Sequence, residues 1–318
     1  MKIELNQNKI FFNNGKSIEE IHPFWLRERV DGEEFLDKGT QQRLFDPSTM
    51  DAKIIIKKAE IKNGFLEVNF NDGVNSKLDI NKLETEFSNK DTVIKSIPKK
   101  KWDSALKDVK NFEYKEDFYE SKEMYDLLVS FYEYGFVIIK NVPTENNYIV
   151  KFANSIGSVR RTNFGEHFNV RSKSNPNDLA YTTLQLSPHT DNPYRNPVPC
   201  IQLLHCVENE VSGGYSTLVD GYTVTEKLKK EDPGAYKILT EVKVRFKFTD
   251  KKVILEDWSE LIHLDDEKNF KQVRFSPRLD YVPMLEKEKL ELYYKARKKL
   301  SDLYNSEKNR IEFKLAPR

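Results

Sequence analysis

Apolar positions in the first hundred residues fall into short, strand-like runs. Ile10-Phe11-Phe12 leads into Asn13-Asn14-Gly15-Lys16, an apolar strand closed by an Asn-Gly turn, and Phe65-Leu66-Glu67-Val68-Asn69-Phe70 alternates before Asp72-Gly73. Ile54-Ile55-Ile56 reads as a short buried strand, and the aromatic-rich segment Ile21 to Arg29 as the anchor of this small β-rich unit. Lys99-Lys100-Lys101 after Pro98 marks a solvated linker, which predicts a unit over 1–100 followed by a larger one over 101–318.

The period changes in the larger part. Between Tyr119 and Tyr134, Met124, Leu127, Leu128 and Phe131 recur at helical spacing and Gly135 supplies the stop. Phe136 to Pro143 reads as a continuous apolar strand, Ile149 to Ile156 as a second short helix ended by Gly157, and Glu286 to Asn305 as a charged helix. Arg310 to Leu315 reads as one more strand. Residues 179–220 alternate strand-like runs with turn signals, which predicts antiparallel strands in a sandwich or barrel.

Composition narrows the function classes. With 52 Lys+Arg against 51 Asp+Glu, the net charge of +1 offers no general attraction for nucleic acid or an anionic membrane. No apolar run reaches the roughly 18 to 20 residues of a membrane span, and the first residues lack the apolar core of a secretion signal, so the cytoplasm is the expected location. The two cysteines, Cys200 and Cys206, make no disulfide framework; their spacing predicts buried, reduced thiols on one face of a strand.

Of the five histidines, only one has a carboxylate two residues on in an extended segment beside a turn. In His189-Thr190-Asp191 an imidazole and a carboxylate would share one face of that segment and could converge on a metal. Imidazole and carboxylate, with a second histidine, form the facial triad that suits Fe(II) and leaves positions open for a chelating co-substrate and O2. Alone the triplet is a weak signal. His22 reads as structural, His205 as a core residue, His263 as part of a surface turn, and His167 as a solvated loop residue or one at the mouth of a pocket.

The surrounding residues carry a resemblance. Ala180 to Asp191, then Gln202-Leu203-Leu204-His205-Cys206, Gly213-Gly214-Tyr215-Ser216 and Val219-Asp220-Gly221 resemble the γ-butyrobetaine and trimethyllysine dioxygenases, within the taurine dioxygenase-like Fe(II)/2-oxoglutarate enzymes. His22-Pro23-Phe24-Trp25-Leu26-Arg27 is similar to the start of that family's small N-terminal domain. The resemblance implies an α+β, mainly β fold, in which a small β-rich domain precedes a double-stranded β-helix (jelly-roll) with flanking helices. It implies His189 and Asp191 as iron ligands, with Fe(II), 2-oxoglutarate and O2 as cofactor and co-substrates, and it implies a homodimer.

Two departures qualify it. Family members carry a zinc-binding cysteine cluster after Trp-Leu-Arg, whereas Arg27 to Phe35 contains no cysteine, so no structural zinc is expected and the N-terminal unit must rely on its hydrophobic core. The family's second histidine ligand and the arginine for 2-oxoglutarate follow a Pro-Gly-Asp-like turn, and the chain ends at Pro317-Arg318, where that turn would begin. Two readings stand: an incomplete dioxygenase lacking its C-terminal strands, or a catalytically disabled relative that binds betaines.

The resemblance also places the substrate. Ser216 matches a hydroxyl that serves the 2-oxoglutarate carboxylate, or is a turn serine. Phe164, Phe168 and Tyr181 match an aromatic cage for a small quaternary ammonium substrate, or the two phenylalanines are loop anchors. Asp178 matches an Asn in γ-butyrobetaine enzymes and an Asp in trimethyllysine enzymes; an ionised Asp only accepts hydrogen bonds, so it suits a second cationic group, unless it caps the segment leading to Tyr181. Arg274 and Arg278 could serve an anionic end such as a carboxylate or phosphonate, or form surface salt bridges.

Overall fold

The computed structural model describes residues 2–13, 15, 17–87, 97–171, 186–210 and 212–317. The chain divides into two compact units, Met1–Ile97 and Pro98–Arg318.

The first unit is built from two antiparallel meanders. Strands β1 (Lys2–Asn6), β2 (Lys9–Asn13) and β3 (Ile18–Glu20) form one sheet, and β4 (Ile56–Lys62), β5 (Phe65–Phe70) and β6 (Asn75–Asp79) the other. Asn63 and Gly64 join β4 to β5 with φ of 49° and 79°, the left-handed pair that a two-residue hairpin requires. Alternate residues Leu66, Val68 and Phe70 face inward onto Ile10 and Leu26, all nearly inaccessible. Helix α1 (Pro23–Arg27) is capped by His22, whose Nδ1 accepts from the Phe24 N–H at 3.2 Å, and α2 (Ile80–Phe87) packs Phe87 between Phe12 and Trp25. Of the Ile54–Ile56 triplet only Ile56 enters a strand; Ile54 is buried before it and Ile55 faces solvent.

In the second unit, β7 (Asn111–Glu113) lies parallel to β8 (Ile138–Lys140), and helices α3 (Lys122–Tyr134) and α4 (Tyr148–Ile156) pack Met124, Leu127 and Phe152 beside them. Gly135 ends α3 at φ 78°, as its sequence position predicts. The strand expected over Phe136–Pro143 shortens to β8, because its partner β7 has only three residues to pair. Strand β9 (Tyr215–Val219) leads into α5 (Gly221–Glu231) and α6 (Pro233–Glu241), each started by an aspartate cap: Asp220 accepts from Tyr222 and Thr223, Asp232 from Ala235.

The larger core forms around β10 (Lys243–Thr249), whose Val244, Phe246 and Phe248 point inward and which pairs with β11 (Ile254–Glu260). After β12 (Ile262–Leu264) and β13 (Phe270–Val273), β14 (Asp280–Tyr281) pairs with β10 on its other side. Helix α7 (Lys287–Asn305) closes the core with Tyr293, Ala296, Leu300 and Tyr304, and β15 (Arg310–Lys314) pairs antiparallel with β9. The fold is mixed and mainly β. The run of strands expected over 179–220 is not met where it is described: 186–210 is irregular, and β9 is the strand there. No helix among the described residues is long and apolar enough to cross a membrane.

Candidate metal centre

His189 and Asp191 converge, though not as neighbours on a strand. Their segment is irregular, and His189 Nε2 lies 3.3 Å from Asp191 Oδ1. His189 Nδ1 is 2.8 Å from the Ser187 carbonyl. A carbonyl only accepts, so Nδ1 carries the proton in that contact. Nε2 of a neutral ring would then turn a lone pair toward a carboxylate, an arrangement that needs a cation between them or a second proton on the ring. The electrostatics agree: the Asp191 hydrogen bond pushes the His189 pKa up against the opposing effect of burial, and the same bond holds Asp191 below its usual range.

Tertiary contacts hold this loop in place. The Thr190 N–H donates to the Phe275 carbonyl at 2.7 Å, and the Phe275 N–H donates back to Thr190 Oγ1 at 2.9 Å. Phe275 is itself buried and stacked on Tyr304 of α7, so the clip ties the His-Thr-Asp triplet to the main core. Beyond the triplet, Pro193 and Tyr194 are buried, Tyr194 donates to Asn192 Oδ1 at 2.6 Å, and the Tyr194 ring stacks on Phe248 of β10. The Gln202 side chain also favours the ionised form of Asp191. No local pattern marks Gln202 as a site residue.

Arg274 is not a surface residue. It is buried, with Nη1 2.5 Å from Asp257 of β11 and 3.3 Å from the Pro193 carbonyl, so it fastens the loop to the sheet and its charge is already matched. Arg278 is exposed, and its charge acts on both His189 and Asp191.

Two of the proposed cage rings meet. Phe164 and Phe168 have centroids 5.5 Å apart; Phe164 also packs edge-on against Phe248, and Phe168 is 47% exposed. Because Tyr194 stacks on the same Phe248, a continuous run of rings connects Phe168 to the loop bearing Asp191. Asp178 and Tyr181 lie outside the described residues. Ser216 sits half-buried on β9 opposite Phe313, and among the described residues no hydrogen bond or ion pair joins it to His189 or Asp191.

Other expectations need correction. Both cysteines are free, but Cys200 is exposed and Cys206 only half-buried, because their segment is loop, where alternation does not decide burial. His263 lies on β12, not in a surface turn, 3.4 Å from Glu260. His205 is half-buried, and among the described residues its enclosed Nε2 has no partner; His167 is an exposed loop residue, as expected.

The donor set fits iron(II) as far as it goes. An imidazole nitrogen and a carboxylate oxygen 3.3 Å apart match two adjacent ligands of one ion, about 3 Å apart for bonds of about 2.1 Å at right angles. Among the described residues no group of three or more His, Cys, Asp or Glu is placed to hold a metal, so His189 and Asp191 stand as a pair.

Residues 98–317 match the family model described as taurine catabolism dioxygenase TauD, TfdA family. The chain is 34% identical over 169 residues to the γ-butyrobetaine dioxygenase of Pseudomonas sp. (strain AK-1), covering 53% of this chain and 44% of that protein. It is 34% identical over 199 residues to the human γ-butyrobetaine dioxygenase, 61% of this chain and 51% of the relative. It is 29% identical over 231 residues to the human mitochondrial trimethyllysine dioxygenase, 70% and 54% of the two chains. The chain thus spans about half the length of these relatives. The match over 98–317 takes in nearly the whole second unit, and with it the His189–Asp191 pair: the chain belongs to the TauD/TfdA family.

Proposed function

We propose that the protein takes part in Fe(II)- and 2-oxoglutarate-dependent hydroxylation of a small trimethylammonium compound. The observation that carries this reading is the convergence of His189 Nε2 and Asp191 Oδ1, in a family whose named relatives are γ-butyrobetaine and trimethyllysine dioxygenases. His189 and Asp191 would supply two protein ligands to iron, within a jelly-roll catalytic domain over 101–318. Bound together, iron(II), 2-oxoglutarate and O2 supply the oxidation: one oxygen atom enters a substrate C–H bond, the other enters succinate, and CO2 leaves.

The protein's own contribution is placement. The Ser187 carbonyl fixes the His189 ring, His189 orients Asp191, and Thr190 holds the triplet on the core. Ser216 would donate its hydroxyl to a 2-oxoglutarate carboxylate. Phe164 and Phe168, with Tyr181, would hold the trimethylammonium head, which has no N–H to donate and binds through its polarised methyls on ring faces. Asp178 would meet a second cationic group, which favours a trimethyllysine-like substrate over γ-butyrobetaine.

The test mixes the protein with Fe(II), 2-oxoglutarate and a panel of betaines and measures both Fe(II) binding and succinate. The expected result is Fe(II) binding that His189→Ala and Asp191→Ala each weaken at least tenfold, and succinate release that depends on a betaine. Fe(II) binding untouched by either substitution overturns the assignment of the ligands; succinate release indifferent to betaines overturns the substrate class.

A further inference from the structure

A cavity of about 180 Å³ lies where β14 meets α7, lined by Asp280, Tyr281, Val282, Tyr293, Tyr294 and Arg297. It shares no residue with the His189–Asp191 pair or with the groups that hold that pair in place. Its charged groups answer each other. Asp280, with 3% of its side chain exposed, accepts from Arg297 Nη2 at 2.5 Å and from Nε at 3.3 Å, and Nη2 also donates to the Pro277 carbonyl at 3.1 Å.

Tyr293 is the exception. It is 1% exposed, and its hydroxyl is enclosed without a hydrogen-bond partner among the described residues. Such a group has given up its bonds to water and gained none in return, which protein interiors rarely allow. The charges of Asp280 and Arg297 both act on this hydroxyl, which sets it beside their ion pair. Burial pushes its pKa up, so it stays an uncharged group able to donate and to accept. The other walls are aromatic and open to solvent: Tyr281 is 51% and Tyr294 48% exposed. Both rings are held in position, Tyr294 edge-on to Tyr293 with centroids 6.1 Å apart, and Tyr281 by the Arg245 guanidinium 5.4 Å from its centroid.

We propose that this cavity is a binding site for a small uncharged phenol-type compound, whose ring packs on Tyr281 and Tyr294 and whose hydroxyl completes the hydrogen bonding of Tyr293. Size, charge and surface each narrow the ligand. Drug-sized ligands fill roughly 300 to 1,000 Å³, so a cavity of about 180 Å³ takes a single ring. The Asp280 carboxylate disfavours an anion and the Arg297 guanidinium a cation, so neither a carboxylate nor the trimethylammonium class suits it. Ring-on-ring packing at the mouth selects a flat apolar body, and one hydroxyl at the buried end meets the one unpaired hydroxyl of the protein there. The site goes beyond the function proposed above and uses none of its chemistry.

The test titrates the full chain, with no iron added, with phenol, toluene, cyclohexanol and benzoate, and follows binding by NMR and stability by thermal melting. Expected is saturable binding of one equivalent of phenol, tighter than that of cyclohexanol, which lacks the flat ring, or of benzoate, which carries a charge. Tyr293→Phe should weaken phenol roughly fivefold or more and leave toluene unchanged, the loss of one hydrogen bond and no packing. Tyr281→Ala, at an exposed position, should weaken phenol and toluene alike. Without ligand, Tyr293→Phe should melt no lower than the wild type, because its hydroxyl has no bond to lose. Absence of saturable phenol binding overturns the proposal, as do equal phenol constants in wild type and Tyr293→Phe, or benzoate binding as tightly as phenol. A lower melting temperature of unliganded Tyr293→Phe also overturns it, since the hydroxyl would then be partnered already. Every readout is independent of Fe(II), so failure here leaves the metal assignment standing.

Discussion

Thr190 and Phe275 are joined by reciprocal hydrogen bonds, 2.7 Å from the Thr190 N–H to the Phe275 carbonyl and 2.9 Å from the Phe275 N–H to Thr190 Oγ1. The residue between the two candidate ligands is thus the one that fixes both. Thr190→Val keeps the shape but deprives the buried Phe275 N–H of its acceptor, at a cost of about 1 to 3 kcal/mol. It should also loosen the loop, so Fe(II) affinity should fall together with stability in Thr190→Val and largely recover in Thr190→Ser. Chemical denaturation and metal titration of the three proteins check this. A Val variant that loses stability but binds Fe(II) as the wild type does would break the link between clip and site.

Gln202 acts one step further out. Its side chain favours the ionised form of the Asp191 carboxylate. Partners of this kind orient metal ligands, and their loss commonly costs roughly 10- to 100-fold in affinity. Gln202→Leu should therefore weaken Fe(II) binding within that range and leave the fold intact, since Gln202 is exposed. Metal titration beside a thermal melt measures the two effects separately.

Local pattern revealed the ends of the process better than its middle. Helix α3 and its Gly135 stop, the charged α7 and strand β15 were legible because spacing and caps act within a few residues. Strand β4, Ile56-Lys57-Lys58-Ala59-Glu60-Ile61-Lys62, is mostly polar and declares itself only through its Asn63-Gly64 hairpin. The alternation of Val244, Phe246 and Phe248 and the caps Asp220 and Asp232 are readable signals for β10, α5 and α6. At the site, the pairing of His189 with Asp191 was foreseeable but its cause was not. Strand periodicity does not bring them together; the clip from Thr190 to Phe275, 85 residues away in the chain, holds the triplet, where no short-range pattern reaches.

Arg274 and Asp257 form a largely buried ion pair, with 9% and 20% of their side chains exposed. Removing one partner of such a pair strands the other, which costs about 3 to 5 kcal/mol when burial is complete. Asp257 keeps some solvent, so Arg274→Met should cost about 3 kcal/mol, with part of the loss coming from the Pro193 carbonyl it abandons. Asp257→Asn combined with Arg274→Met should restore part of that stability. A denaturation double-mutant cycle gives the coupling, and a value near zero would mean that the pair does not hold the loop.

His205 predicts a pH dependence. Burial pushes its pKa below the ordinary 6.5, so the folded protein keeps the ring neutral while the unfolded chain accepts a proton. The unfolded state therefore binds more protons in this window, and stability rises with pH there. The contribution is complete above the unfolded value of 6.5 and is lost as pH falls from 6.5 toward the folded value. Below about pH 6.5 the urea midpoint of the wild type should climb with pH more steeply than that of His205→Gln, which has no proton to bind. Parallel slopes would place the titration elsewhere.

Phe168 separates the cage from a merely structural pair of rings. Phe164 packs on Phe248 and the core, so its loss should cost stability whatever else it does, but Phe168 is 47% exposed and carries less of that burden. If its face receives the trimethylammonium head, the interaction is worth about 0.5 to 2 kcal/mol, and Phe168→Ala should weaken γ-butyrobetaine binding by roughly 2- to 30-fold. The sharper comparison uses the tert-butyl isostere of γ-butyrobetaine, which has the same shape and no positive charge. Wild-type protein should prefer the cation, Phe168→Ala should erase most of that preference, and Phe168→Trp should enlarge it, because indole offers the stronger ring face. Should Phe168 be only a loop anchor, Phe168→Ala would lower the melting temperature and weaken both ligands by one common factor. Binding constants for the two isosteres across the three proteins decide the matter, since only a cage makes the ratio of the two constants move, and makes it move in opposite directions for Ala and Trp.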